Sequence, residues 1–144
     1  MRKKILLAVA VILVALQLVP VGRTNPPTTS KVDAPQAALA VLERSCFDCH
    51  SNESRWPWYA YVAPVSWLVT HDVKEGREHV NFSEWAQYDA EKVADILKDV
   101  RDEVEEGRMP LPIYLILHGD ARLSEQDKQA LFAWADGQSA VDDD

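Results

Sequence analysis

The hydrophobic positions of the chain predict helices and no strands. In four segments, apolar side chains recur at steps of three and four residues, which is the spacing that lines one face of a helix. The segments begin near Asp33, Pro64, Asp89 and Ser124, each a residue typical of a helix start. No stretch of the sequence alternates apolar and polar residues over the length of a strand. The pattern therefore predicts an all-α fold.

Capping residues predict where these helices begin and end. Asp33 is placed as an N-cap with Pro35 in the first turn of its helix, and Gly76 is expected to end the second helix. The third helix is expected to lie between Asp89 and Gly107.

The last helix carries a reciprocal capping signal at its start. Ser124 is followed three residues later by Asp127, which stands where Glu is the usual partner. The helix is expected to end before Gly137. Its buried side chains are expected to be Ala130, Leu131 and Trp134.

The N-terminal region has the composition of an export or anchor segment. Basic residues at positions 2–4 precede residues 5–19, an apolar run that only Gln17 interrupts. The sequence has no Ala-x-Ala pattern before Pro20 and no cysteine there to carry a lipid. Residues 5–22 are just long enough for a spanning helix, which needs about 17–25 residues. This favours an uncleaved anchor with its basic end in the cytoplasm, and a cleaved signal peptide is the alternative.

Composition divides the chain into four parts. Residues 1–22 are the signal peptide or membrane anchor. Residues 23–33 contain two prolines and no apolar periodicity, so they are predicted to be an extended linker that lifts the domain off the membrane. Residues 34–137 form a single domain, and residues 138–144 are an acidic tail.

The part of the chain beyond Lys31 is strongly acidic. It holds all 23 Asp and Glu residues but only 10 of the 15 Lys and Arg residues, which gives it a formal charge of −13 with neutral histidines. Such a surface repels nucleic acid and attracts a partner that presents a basic patch. Simple solubility explains the same charge, and both explanations stay open.

Cys46, Cys49 and His50 form the motif with the most specific chemistry. Two cysteines three residues apart lie on one face of a helical turn, where their thiols can add to the two vinyl groups of a haem, and the adjacent histidine can bind its iron. A zinc site needs four ligands, and the chain has only two cysteines. A thioredoxin-like dithiol needs a preceding strand, which the helical pattern does not provide. The motif therefore predicts one covalent haem c per chain.

An aromatic run follows the motif. Trp56, Trp58 and Tyr59 lie within four residues, and Pro57 prevents a regular helix there. Such rings can pack beside a haem macrocycle and donate hydrogen bonds to its propionates. They can equally form the ordinary aromatic core of a small domain. Both interpretations stay open, and the three residues are candidates for cofactor binding.

The second axial ligand of the iron decides between an electron carrier and an enzyme or gas binder. Met109 is the only methionine besides the initiator, and it lies between a glycine and two prolines that exclude helix. A thioether on so stiff a loop can coordinate with little reorganisation. Met109 is therefore predicted as the sixth ligand. His71 is the alternative, followed by His79 and His118.

Seven short motifs carry a resemblance to a known family. They are Cys46-Phe47-Asp48-Cys49-His50-Ser51-Asn52, Trp56-Pro57-Trp58-Tyr59, Ala63-Pro64-Val65-Ser66-Trp67-Leu68, Gly76-Arg77, Asn81-Phe82-Ser83-Glu84-Trp85, Met109-Pro110 and Leu123-Ser124. Together they resemble the bacterial haem-binding domain family of small, exported c-type cytochrome-like proteins, over residues 36–136. The order of attachment motif, Met-Pro loop and terminal helix is also similar to class I cytochromes c. The resemblance implies a covalent haem c and a periplasmic or membrane-anchored location, but no particular reaction.

These observations predict a small cytochrome c-like helical domain that passes single electrons between partner proteins. We expect it on the periplasmic side of a bacterial inner membrane, or free in the periplasm if the N-terminal segment is cleaved. No catalytic acid–base pair can be named from the sequence, so no enzyme activity is expected. The alternatives are a haem enzyme of the peroxidase type and a haem-based gas or redox sensor, both with an open or displaceable sixth ligand.

Overall fold

The structure, a computed structural model, describes residues 1–139. The described residues form six α-helices and no strand, so the all-α prediction is confirmed. The helices are α1 (Arg2–Leu16), α2 (Gln36–Ser45), α3 (Phe47–His50), α4 (Val65–His79), α5 (Ala90–Glu105) and α6 (Glu125–Ser139). Short 3₁₀ helices lie in the connections at Trp58–Tyr61, Phe82–Gln87, Tyr114–Ile116 and Gly119–Ala121. The predicted acidic tail falls outside the described residues except at its first two positions.

Helices α2, α5 and α6 enclose the main hydrophobic core. Leu42 of α2 and Leu131 of α6 are fully buried, and Leu97 of α5 is buried beside them. The Trp134 ring lies in the same core, and its indole N–H donates to the Asp33 carbonyl at 2.9 Å. This framework fixes the end of α2, from which the attachment motif continues.

Hydrogen bonds and backbone geometry confirm three of the predicted helix ends. Asp89 is the N-cap of α5, and its carboxylate accepts the Lys92 N–H at 2.8 Å. At the start of α6 the Asp127 N–H donates to the Ser124 hydroxyl, and the Ser124 N–H donates to the Asp127 carboxylate at 2.9 Å. Gly107 follows the end of α5 with a φ of 69°, the left-handed conformation that glycine adopts most readily.

Three other predicted helix ends are wrong. Helix α2 begins at Gln36 with Pro35 at the N-cap, two residues later than the predicted cap Asp33. Gly76 lies inside α4, and Gly137 lies inside α6. Low helix propensity makes a glycine look like a terminator, but tertiary packing can hold it within a helix.

The N-terminal apolar run forms α1, and none of its side chains is buried. Within residues 1–139, no helix is both long enough and apolar enough to cross a membrane. The spanning helix expected from residues 5–22 is therefore not supported.

Residues 23–32, which we call the strap, have no regular structure but lie along the domain. The Asn25 side chain donates to the Ser54 carbonyl at 2.8 Å, and the Thr29 N–H donates to the Ser83 carbonyl at 2.9 Å. Val32 belongs to the hydrophobic core. Because these contacts tie it down, the strap is part of the domain and does not act as a free linker.

Candidate functional site

The two cysteines and His50 lie on one tight turn at the end of α2, which we call the attachment turn. Helix α2 stops at Ser45, Cys46 departs from helical geometry with a φ of −124°, and α3 starts at Phe47. The N–H groups of Cys49 and His50 both donate to the Cys46 carbonyl, at 3.1 and 2.9 Å. Both thiols are free. The turn therefore keeps two sulfur atoms and an imidazole within one short segment.

Backbone carbonyls at the end of α4 orient the His50 ring. The Nδ1–H group donates to the Gly76 carbonyl at 2.8 Å and lies 3.4 Å from the Val80 carbonyl. Because a carbonyl only accepts, the hydrogen is on Nδ1 and the free lone pair is on Nε2. Burial lowers the pKa of His50, so its ring is neutral at pH 7. A neutral imidazole held in this way is typical of a metal-ligating histidine.

Gly76 allows α4 to pass directly over the attachment turn. A Cβ atom at this position would lie 2.7 Å from the Cys49 carbonyl oxygen and 3.1 Å from its carbonyl carbon. No side chain fits there, so the two backbones can meet only at a glycine. The same close approach brings the Gly76 carbonyl to the His50 ring.

Arg77, the next residue of α4, joins three segments around the motif. Its Nε–H donates to the Ser51 carbonyl at 2.7 Å, and its two terminal nitrogens donate to the Thr24 carbonyl and the Ser54 hydroxyl, each at 2.9 Å. One planar guanidinium therefore holds α4, the loop after the attachment turn and the strap together.

Cys46, His50 and Met109 line a single cavity of about 330 Å³. Met109 is half-buried on the loop after α5, where its N–H donates to the Glu103 carbonyl at 3.1 Å. Apolar side chains form much of the remaining wall, among them Leu42, Val80, Phe82, Ile96, Val100 and Val104. The structure thus brings together one predicted attachment cysteine and both predicted axial ligands.

The thiols of Cys46 and Cys49 are poor acids in this fold. Burial raises the pKa of each to about 12. Both thiols are therefore protonated at neutral pH, which disfavours the reactive thiolate that a redox dithiol requires. A thioether carries no charge, so an apolar setting does not oppose it.

Cys49 faces a second, smaller cavity of about 130 Å³. At its polar end the Tyr59 hydroxyl lies 2.6 Å from His118 Nε2, and the Tyr114 ring stacks on the His118 ring with centroids 4.0 Å apart. The apolar part of the wall comes from α4 and the loop after Met109. It includes Val65, Leu68, Val69, Leu111, Ile113 and Leu117.

Asp48, at the centre of the motif, is buried and paired on both carboxylate oxygens. The Tyr114 hydroxyl donates to Oδ2 at 2.8 Å, and the Arg55 backbone N–H and Nε–H donate to Oδ1 at 3.0 and 3.1 Å. Burial, together with this carboxylate, raises the pKa of Tyr114, so the phenol stays protonated. The pairing ties the loop after Met109 to the attachment turn.

Five of the predicted site residues do not line the cavity that contains His50, and two of them, Cys49 and Tyr59, line the smaller cavity instead. Trp56 lines the smaller cavity beside Tyr59, and its indole N–H donates to the Asn25 side chain of the strap at 3.1 Å. Trp58 is 76% exposed. His71 is exposed on α4 and borders a separate surface groove. Of the other candidate ligands, His79 borders the larger cavity and His118 the smaller one.

Sequence reasoning misses the roles of Asp48, Gly76 and Tyr114. Two signals are present in the sequence: an acidic residue inside a motif that must be buried, and a glycine inside an otherwise helical pattern. Tyr114 offers no such signal, because its partner Asp48 is 66 residues away in the chain.

The haem-binding domain family matches residues 11–137. This span begins within α1, ends within α6 and contains the strap and the residues around both cavities. No curated protein and no solved structure matches the chain.

Proposed function

Since the chain belongs to the haem-binding domain family, we propose that it carries one covalent haem c and passes single electrons between partner proteins. The observation that carries this proposal is the cavity lined by Cys46, His50 and Met109. A cysteine, a neutral imidazole and a thioether around one cavity are the side chains that covalent attachment and His/Met ligation require.

The residues present fit this cofactor. Cys46 and Cys49 would form the two thioether bonds, His50 Nε2 would bind the iron on one side, and Met109 Sδ would bind it on the other. When bound, haem supplies an iron that alternates between the ferric and ferrous states by single electrons.

Cys46 lines the larger cavity and Cys49 the smaller one, so a haem joined to both would draw on residues of both cavities. Trp56 and Tyr59 line the smaller cavity with Cys49, so they would supply the aromatic wall on that side. Trp58, which lies on the surface, has no part in this arrangement.

The protein itself contributes orientation and the exclusion of water. The hydrogen bond to the Gly76 carbonyl fixes the orientation of the His50 ring. It also makes Nε2 a stronger electron-pair donor to a metal ion. Met109 offers a soft, neutral ligand that favours the ferrous state, and the apolar wall does the same because it disfavours the extra positive charge of the ferric state. These features together favour a high reduction potential.

We further propose that the protein works on the periplasmic side of a bacterial inner membrane. The basic residues 2–4 and the exposed apolar helix α1 support export, with α1 retained and in contact with the membrane, which its 15 residues are too few to cross. A soluble periplasmic carrier results if this segment is cleaved. The acidic surface supports redox partners with a basic docking patch.

Denaturation followed by acid extraction tests the covalent attachment. The unmodified protein should keep its haem, while Cys46→Ala or Cys49→Ala should weaken or abolish retention, because each thioether is an independent bond. Release of intact haem from the unmodified protein would contradict the c-type assignment.

The absorption spectrum of the ferric protein tests the ligation. His/Met ligation should give a low-spin spectrum with a thioether-to-iron band in the far red. A high-spin spectrum with water as the ligand would instead favour a peroxidase-type enzyme or a gas sensor.

A further inference from the structure

Large apolar side chains are exposed around the mouth of the smaller cavity. They come from the 3₁₀ helix Trp58–Tyr61, the start of α4 and the segment around the 3₁₀ helix Tyr114–Ile116. We call this surface the apolar face. Its members, exposed by 43–76%, are Trp58, Tyr61, Val62, Val65, Leu68, Ile113, Ile116 and Leu117.

The apolar face is continuous because its three segments meet at the cavity. Val65 and Leu68 of α4 and Ile113 and Leu117 of the later loop line the same wall. The Trp58 ring packs edge-on against the Tyr59 ring, which belongs to that wall. Isolated exposed apolar residues are ordinary, but a contiguous set of this size marks an interaction surface.

Helix α1 leaves the domain at the edge of this face. The Gln17 side chain donates to the Ala63 carbonyl at 3.2 Å and accepts the Ala63 N–H at 3.0 Å. Ala63 lies between Val62 and Val65, which are both members of the apolar face. The end of the apolar helix and the apolar face therefore share one border.

The chain after α1 leaves no spacer between the helix and the domain. The Arg23 guanidinium lies 4.4 Å from the centre of the Tyr61 ring, and it donates to the Ala60 carbonyl at 3.2 Å. Residues 17 and 23 are thus both fixed to the border of the apolar face. If α1 binds to a membrane surface, the apolar face is carried to that surface with it.

We propose that the apolar face is a membrane-contact surface that rests on lipid beside α1. This proposal rests on the membrane location proposed above. The chemistry of the face suits a bilayer surface: Trp58 and Tyr61 have rings of the type that collect at the lipid–water interface, and Arg23 at the border can meet a headgroup phosphate. Val62 and Ile116, the aliphatic members outside the cavity wall, add apolar area that water otherwise covers. The domain then lies flat on the membrane, with the mouth of the smaller cavity towards lipid.

Site-specific photocrosslinking tests the contact. The full chain is reconstituted in vesicles of phosphatidylethanolamine and phosphatidylglycerol, with a photoreactive benzoylphenylalanine in place of one residue. Ile116 reports on the apolar face, Leu6 on α1 and Lys98, an exposed residue of α5, serves as the control. All three side chains are exposed, so each variant should fold, and an unchanged haem spectrum verifies it. The expected result is about tenfold more lipid adduct, measured by mass spectrometry, at Ile116 and Leu6 than at Lys98.

The outcomes separate the contact from the anchor. Lipid adducts at Leu6, with equally low yields at Ile116 and Lys98, would leave the anchor standing and overturn the membrane-contact surface. Adducts at Ile116 but not at Leu6 would support the surface and overturn the anchor. Adducts from Ile116 to a second copy of the chain would show a protein interface instead and overturn the proposal.

Discussion

Gly76 sets the distance between α4 and the attachment turn. In Gly76→Ala the new Cβ would meet the Cys49 carbonyl oxygen at 2.7 Å, so the backbone of one segment must move. We expect the free energy of unfolding to fall by about 1–3 kcal/mol, the usual cost of overpacking, because the contact is with backbone and not with a flexible side chain. The shift should also weaken the bond to His50 and lower the yield of covalent haem. Urea unfolding and haem content per chain measure the two effects.

Gly119→Ala is the matched control for this change. A Cβ at Gly119 meets nothing within 4 Å, so both quantities should stay close to those of the unmodified protein. Equal losses in the two variants would mean that close packing against Cys49 is not the reason for glycine at position 76.

Substitution of Met109 or of His71 distinguishes the two candidates for the sixth ligand. Met109 borders the cavity that contains His50, whereas His71 is exposed on another surface. Met109→Ala should leave the sixth coordination position of the iron vacant, lower the reduction potential and let carbon monoxide bind the ferrous form. His71→Ala should leave the low-spin spectrum unchanged. Absorption spectra of both variants decide the matter. A parental spectrum in Met109→Ala with a high-spin spectrum in His71→Ala would identify a bis-histidine site.

At the scale of elements, α6 depends on its reciprocal cap. The Ser124 hydroxyl accepts the Asp127 N–H at 3.2 Å and donates to the Asp127 carboxylate at 2.8 Å, and the same carboxylate pairs with Arg44 of α2 at 2.9 Å. Ser124→Ala removes the hydroxyl and should lower the free energy of unfolding by about 1 kcal/mol. Ser124→Thr keeps the hydroxyl and should change it by less than about 0.5 kcal/mol. Chemical denaturation compares them, and equal stability of Ser124→Ala and the unmodified protein would argue against the cap.

The sequence predicts those elements whose signals are local. Asp89 and Gly107 bracket α5 because a cap and a left-handed glycine act on the residues next to them. Gly76 misleads, since its role is contact with a segment 27 residues earlier in the chain and not the end of its own helix. The strap also escapes prediction, because a proline-rich stretch without periodicity looks like a linker. Its contacts with distant groups, among them those of Arg77, Ser54 and Ser83, make it part of the domain.

For the site as a whole, too, local sequence signals can be predicted and contacts between distant segments cannot. Cys46, Cys49 and His50 are adjacent in the sequence, so their chemistry can be inferred before any fold is known. The chemistry of the smaller cavity cannot be inferred in this way. No local pattern in the sequence marks Tyr59, Tyr114 and His118, which come together only when the fold joins two distant loops. Met109 falls between these cases, since a solitary methionine on a stiff loop suggests a ligand, but its place in the cavity that contains His50 depends on the packing of α5.

At the scale of the whole molecule, the contacts between the N-terminal segment and the domain lead us to expect that this segment is retained. A signal peptide is removed and plays no part in the mature fold, yet Gln17, just after α1, pairs with both backbone groups of Ala63. We therefore expect the protein to fractionate with membranes and to resist washing with concentrated salt, because apolar contact with lipid is not screened by ions. Mass spectrometry of the purified protein should find residues 2–16 present. A mature N-terminus at Gly22 or later, with the protein in the soluble periplasmic fraction, would contradict this and identify a diffusible carrier.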